Sequence, residues 1–187
     1  MGIIDRAKRF FAGDADEGTA AHVAPMLLAV RLGGFYMAEA VASIADGERL
    51  VPLLGSETAA QRELTRLDGD TPEQAVAKGR ESLRANPEAA LRAVLIYDVF
   101  LSLGRTRSDA LMMEVVDYAV SAKPMKVAVP YRPASDEGGF AVLRPKFMTA
   151  TELTPAALRS LGDAFFAGVH AHAQGAKIWA AHAEGQR

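Results

Sequence analysis

The chain has 187 residues, 50% of them hydrophobic and 24% charged, which is the ordinary make-up of a soluble globular protein of one domain. It contains no cysteine, so disulfides, thiolate metal sites and cysteine nucleophiles are excluded. Twenty-one basic against 23 acidic side chains give a net charge of −2, without the basic excess of a nucleic-acid binder.

The balance is uneven along the chain. Residues 1–90 carry a net −4 and residues 91–187 a net +2. Two differently solvated faces are the simplest reading of that asymmetry. The start, Met-Gly-Ile-Ile-Asp-Arg, lacks the basic and apolar regions of a secretion signal, and Arg6 stands where a myristoylation motif needs Ser or Thr. No unbroken run of 18 apolar residues occurs, so no membrane span is expected. The expected location is the cytoplasm.

Ile3, Ile4, Ala7, Phe10 and Phe11 fall at helical spacing and predict a short amphipathic helix ending near Gly13. Residues 13–18 are a polar loop. Its Asp-x-Asp fragment lacks the later Gly and Glu of a calcium loop. From 20 to 45 the chain is Ala-rich, with Met37, Val41 and Ile44 suiting a helix that stops at Gly47. An extended piece at 50–54 and a helix from Ser56 to Leu67 follow. Thr71-Pro72-Glu73-Gln74 has a capping Thr, Pro at the first helical position and Gln at the third. It predicts a helix running to about Ala85.

The period then changes. Val94 to Leu103 reads as a strand, Gly104–Ser108 as a loop, and Ala110–Val120 as a second strand. Pro124 marks a turn. Met125, Val127, Val129 and Tyr131 alternate with Lys126, Ala128, Pro130 and Arg132, which predicts a strand buried on one face. After a turn-rich loop at 133–139, Phe140–Phe147 alternates again. Pro130 and Pro145 mark these later strands as bulged or near an edge. Thr154-Pro155 starts a last helix with Leu158, Leu161, Phe165, His172 and Trp179 along one stripe, and Gly175 as a dividing point.

The predicted fold is α+β. A four-stranded antiparallel meander at about 92–148 is packed by N-terminal and C-terminal helices, in one domain over 1–187. Within it lie an N-terminal helix and polar loop (1–18), a mainly helical part (19–91), the sheet, and a C-terminal helix (154–183).

A tight β-hairpin across Gly104–Ser108 would set Asp98 opposite Glu114, and the next would set Arg132 opposite Glu114. That row of two carboxylates and a guanidinium is the candidate catalytic group, because facing carboxylates repel unless a cation or a basic neighbour joins them. Lys126, Arg132, Arg144 and Lys146 are the candidate ligand-binding set for an anion. Val116 stands where an Asp…Glu-x-Lys nuclease pattern needs a lysine. His170 and His172 project about 200° apart on a helix and cannot share a ligand. His22 and His182 have no partner at ligand spacing. Neither a cofactor motif nor a metal motif is found, and no Gly-x-Ser-x-Gly or Walker loop occurs.

The expectation is therefore a non-enzymatic module that binds a protein or a small ligand. It would self-associate as a homodimer through the C-terminal helix, where Ala and Gly alternate with Phe165, Phe166 and Trp179. The alternatives are a metal-assisted hydrolase using Asp98 and Glu114, and an anion binder using the basic sheet face.

Overall fold

The computed structural model describes residues 26–86, 88–103, 106–148 and 153–185. The expected helix near 3–12, the loop at 13–18 and His22 lie outside these residues. The fold is α+β, with four helices on a seven-stranded antiparallel sheet among the described residues. The helices are α1 (Met26–Ile44), α2 (Pro72–Ala85), α3 (Pro155–Ala171) and α4 (Ala173–His182). The strands are β1 (Leu53–Glu57), β2 (Arg62–Arg66), β3 (Arg92–Leu103), β4 (Thr106–Asp117), β5 (Ser121–Arg132), β6 (Ala141–Val142) and β7 (Lys146–Phe147). Their order across the sheet is β2-β1-β3-β4-β5-β6, with β7 also paired to β5.

Each face of the sheet has its own core. Val94, Ile96, Leu111, Met113, Val127 and Val129 point to the face that carries α1, α3 and α4. Ala93, Leu95, Tyr97, Met112, Val116 and Ala128 point to the face that carries α2. Ala128 and Pro130 are buried as well, so β5 is covered on both faces where the alternation predicted one.

By length and mean hydropathy α1 is apolar enough to cross a membrane, despite Arg31 and Glu39. Here 61% of that apolar window is buried inside the fold. It packs on the sheet beside Met113 and Gly55, and on α3 and α4 through backbone-to-backbone approaches. A Cβ at Gly34 would strike the Phe165 carbonyl, one at Gly168 the Arg31 carbonyl, and one at Gly175 the Ala38 carbonyl. The small residues of the C-terminal stripe are thus used within the chain, and Phe165 and Trp179 are buried with them.

Thr71 caps α2 by accepting a hydrogen bond from Gln74 N at 3.3 Å, and Thr154 caps α3 by accepting one from Ala157 N at 3.2 Å. Both caps follow the sequence reading. The break in the last helix falls at His172 rather than Gly175. The imidazole Nδ1 accepts a hydrogen bond from Gly175 N at 2.9 Å, so the ring itself caps α4. With Nδ1 accepting, Nε2 carries the proton and faces Glu39 Oε2 at 3.2 Å.

Three elements differ from expectation. Residues 56–67 form a β-hairpin, β1–β2, rather than a helix. Their residue types favour helix locally, but β1 lies between β2 and β3 in the sheet and gains a full set of partners there. The turn after β4 is at 118–120, and Pro124 sits inside β5. It is tolerated because residues 122–124 bulge outward between the pairs Asp117↔Ser121 and Val115↔Met125. The stretch 140–147 is two short strands, with Pro145 between them.

Gly168→Ala is expected to lower stability by about 2–3 kcal/mol, because backbone rather than a movable side chain meets the new methyl. Gly162, with nothing within 4 Å of an added Cβ, is the control. Gly162→Ala is expected to raise stability by about 0.5–1 kcal/mol in the same urea titration.

Candidate functional site

The β3–β4 register decides what the sequence candidates can do. Leu95 lies opposite Glu114, and Asp98 opposite Leu111. The connection is tighter than the loop expected at 104–108, since β4 already starts at Thr106. This moves Asp98 and Glu114 to opposite faces of the sheet and dissolves the expected row. Arg132 does not join either carboxylate. Its Nε donates to Gly139 O at 2.8 Å and its Nη2 pairs with Glu184 Oε2 at 2.9 Å.

Asp98 accepts a hydrogen bond from the Tyr131 hydroxyl at 3.0 Å on the α1 face. Partial burial raises its pKa; the Tyr131 bond offsets part of this and the nearby Asp109 carboxylate adds to it. Of the basic candidates, Lys126 and Lys146 share the α2 face, since Lys146 lies opposite Ala128. Lys126 faces Glu114 at 3.6 Å, and Arg144 is exposed between β6 and β7.

Glu114 is 3% exposed and is the anchor of the α2 face. Its Oε1 accepts from Tyr97 Oη at 2.6 Å and from Arg80 Nε and Nη2 at 2.9 and 2.8 Å. Arg80 Nη2 also donates to the Tyr97 oxygen at 2.6 Å. Burial works against the charge of Glu114, but the Tyr97 and Arg80 bonds, with the Lys126 charge, outweigh it and hold the pKa below its ordinary value. Burial and the Glu114 carboxylate push the Tyr97 hydroxyl up to about 12. Arg80 and Tyr97 escaped the sequence reading because only the true register brings them to Glu114. A second ion-pair chain closes the end of the sheet. Glu57 bridges Arg62 at 2.7 Å and Arg92 at 2.5 Å, and Arg92 also reaches the buried Asp117 at 3.0 Å.

Clamped at Arg80, α2 crosses the sheet and leaves a cleft of about 240 Å³ at its C-terminal end. At roughly 30 Å³ each, that is room for about eight waters, smaller than most drug-sized pockets. Leu54 and Ser56 of β1, Ala93 of β3, and Thr65 and Leu67 beyond them make the floor. Ser82, Asn86, Glu88, Ala90 and Tyr118 make the walls.

The walls are tied down locally. Tyr118 Oη donates to Leu83 O at 2.7 Å, holding the β4–β5 turn to the end of α2. Asn86, left-handed with φ 44°, ends α2, and its side chain exchanges two hydrogen bonds with the Ala90 backbone at 3.0 and 2.8 Å. Ala89 is held at φ 48°, an unusual conformation for alanine that costs about 1 kcal/mol.

Chemically the cleft offers the apolar side chains of Leu54, Leu67, Ala90 and Ala93, one carboxylate, one amide and four hydroxyls. Ser56 Oγ approaches Glu88 Oε2 at 3.4 Å, while the hydroxyls of Thr65 and Ser82 make no hydrogen bond to another described residue. No basic side chain lines it. Reading 56–67 as a helix hid this site, because its floor exists only once β1 and β2 are strands. Among the described residues no three His, Cys, Asp or Glu side chains gather as a metal-binding group. No family model, no curated protein and no solved structure matches this chain.

Because the folded-state pKa of Glu114 lies below its ordinary 4.5, its ionisation contributes stability that is complete above that value and fades as pH falls through the depressed one. Glu114→Gln is therefore expected to cost about 2–3 kcal/mol at neutral pH and to flatten the acid limb of the stability curve below about pH 4.5. Denaturant titrations from neutral to acid pH check both effects.

Proposed function

We propose that the chain is a non-enzymatic binding module that takes a small ligand in the cleft beside α2. The observation that carries this reading is the cleft's make-up: the unbonded hydroxyls of Thr65 and Ser82 and one carboxylate around the apolar side chains of Leu54, Leu67 and Ala93, at a place where the chain accepts backbone strain at Ala89. Such a site favours a ligand with a short apolar part and one or two polar groups. The lining holds one acidic and no basic side chain, and the C-terminal end of the α2 dipole is negative. Both favour an ammonium over an anion.

The anion-binding alternative has less to rest on. Lys126 lies beside Glu114, Arg132 is taken up by Glu184 and two carbonyls, and of the set only Arg144 and Lys146 are exposed without an ion pair among the described residues. The hydrolase alternative required Asp98 and Glu114 on one face, and they are on two.

A chemical-shift titration of the full chain with ethanolamine, choline and ethylene glycol tests the reading. Shifts are expected to cluster at Ser56, Ala93 and Tyr118, with the two cations binding more tightly than the diol. Glu88→Gln is expected to remove roughly fivefold to tenfold of that preference. Shifts scattered over the surface, or unchanged by a cleft-filling Ser82→Phe, would count against it.

A further inference from the structure

Two of the sheet's edges are built differently. At the β2 edge the exposed strand reads Arg-Glu-Leu-Thr-Arg, the charged composition that keeps an edge from pairing with another chain. The second edge is internal to the sheet order and is easily overlooked. β4 accompanies β3 over its whole length, from Arg92 to Leu103, but β1 accompanies it only from Arg92 to Ile96. From Tyr97 to Leu103 the other side of β3 pairs with no described strand, and no other backbone hydrogen bond among the described residues reaches it.

The reason lies just before β1. The Pro52 carbonyl still accepts from Leu67 N on the β2 side, but Leu50, two residues earlier, is buried in the core on the α1 face, so the chain leaves the sheet there. The edge left open reads Tyr-Asp-Val-Phe-Leu-Ser-Leu over 97–103. Asp98 is its single charge, no proline or bulge interrupts it, and Phe100 is 70% exposed.

We propose that this edge pairs antiparallel with the same edge of a second copy of the chain, about a twofold axis at Phe100. The sequence is self-complementary in that register. Phe100 meets Phe100 on the α1 face, and Val99 meets Leu101 on the α2 face, both favourable cross-strand pairs. Asp98 of one copy falls beside Ser102 of the other. Arg107 lies directly across from Ser102 on β4, so a guanidinium stands in the same row, one small side chain away from the carboxylate. The twofold repeats this pairing of charges, as an isologous contact requires. Seven residues a side supply about six main-chain hydrogen bonds but little area, so the dimer is weak and concentration-dependent.

Sedimentation of the full chain from about 1 µM to about 1 mM, the range suited to a small interface, reads the association. A monomer–dimer equilibrium is expected, with amide exchange over 97–103 slowing as concentration rises. Phe100→Asp puts two carboxylates face to face at the axis and is expected to weaken the dimer at least roughly tenfold. Because the side chain is exposed, the thermal melt of that variant should match the parent. Arg107→Asp should weaken association, and Asp98→Lys combined with Arg107→Asp should restore it. A chain monomeric at every concentration overturns the proposal. So does a dimer indifferent to Phe100→Asp, or an edge protected from exchange equally at all concentrations, which would mean that the chain covers it in cis.

Discussion

The pairing of β3 with β4 is the constraint on which the rest of this structure depends. A strand has a period of two, so setting Leu95 rather than Asp98 across from Glu114 changes which face each carboxylate reaches. Glu114 goes to the α2 face and is buried. A buried carboxylate needs donors, and Tyr97 from the neighbouring strand and Arg80 from α2 supply them. That demand fixes where α2 crosses the sheet, and the crossing in turn fixes where its C-terminal end leaves a cleft. Asp98 goes to the other face, to Tyr131, near the open edge of β3.

The two faces solve the burial problem differently. On one, α1, α3 and α4 bury a large apolar core, and glycines at 34, 168 and 175 let helix backbones touch. On the other, a single 14-residue helix covers a smaller apolar cluster, held by one charged clamp and by the Tyr118 bond to its last turn. On the face covered by one helix, a cleft opens beside the end of α2.

Much of the architecture was legible in the sequence because local signals and tertiary demands agreed there. Thr71 and Thr154 stand at true caps, and the alternation from Met125 to Tyr131 follows the pleat. Where they disagreed, tertiary pairing won. Residues 56–67 have helix-compatible types and only weak alternation, and they are strands because β3 offers an edge. The register was out of reach for a related reason. The turn residues Gly104 to Ser108 permit several loop lengths, and the shortest sets the pairing. The expected row of Asp98, Glu114 and Arg132 dissolves with it, since Asp98 and Glu114 were set by counting from that turn and Arg132 from the next, where Lys126 rather than Arg132 lies opposite Glu114. His172 stands on the stripe expected for the last helix, but its ring caps α4 and faces Glu39 of α1, contacts that no local pattern announces.

The central claim is that the β3–β4 register puts Glu114 under α2 and Asp98 on the far side. Scalar couplings across hydrogen bonds, measured by NMR on the isotope-labelled chain, read that register without reference to any side chain. Couplings within the hydrogen-bonded pairs Leu95–Glu114, Ala93–Val116 and Tyr97–Met112 are the predicted result. Couplings that instead place Asp98 level with Glu114 would contradict the account, and with it the clamp, the position of α2 and the cleft.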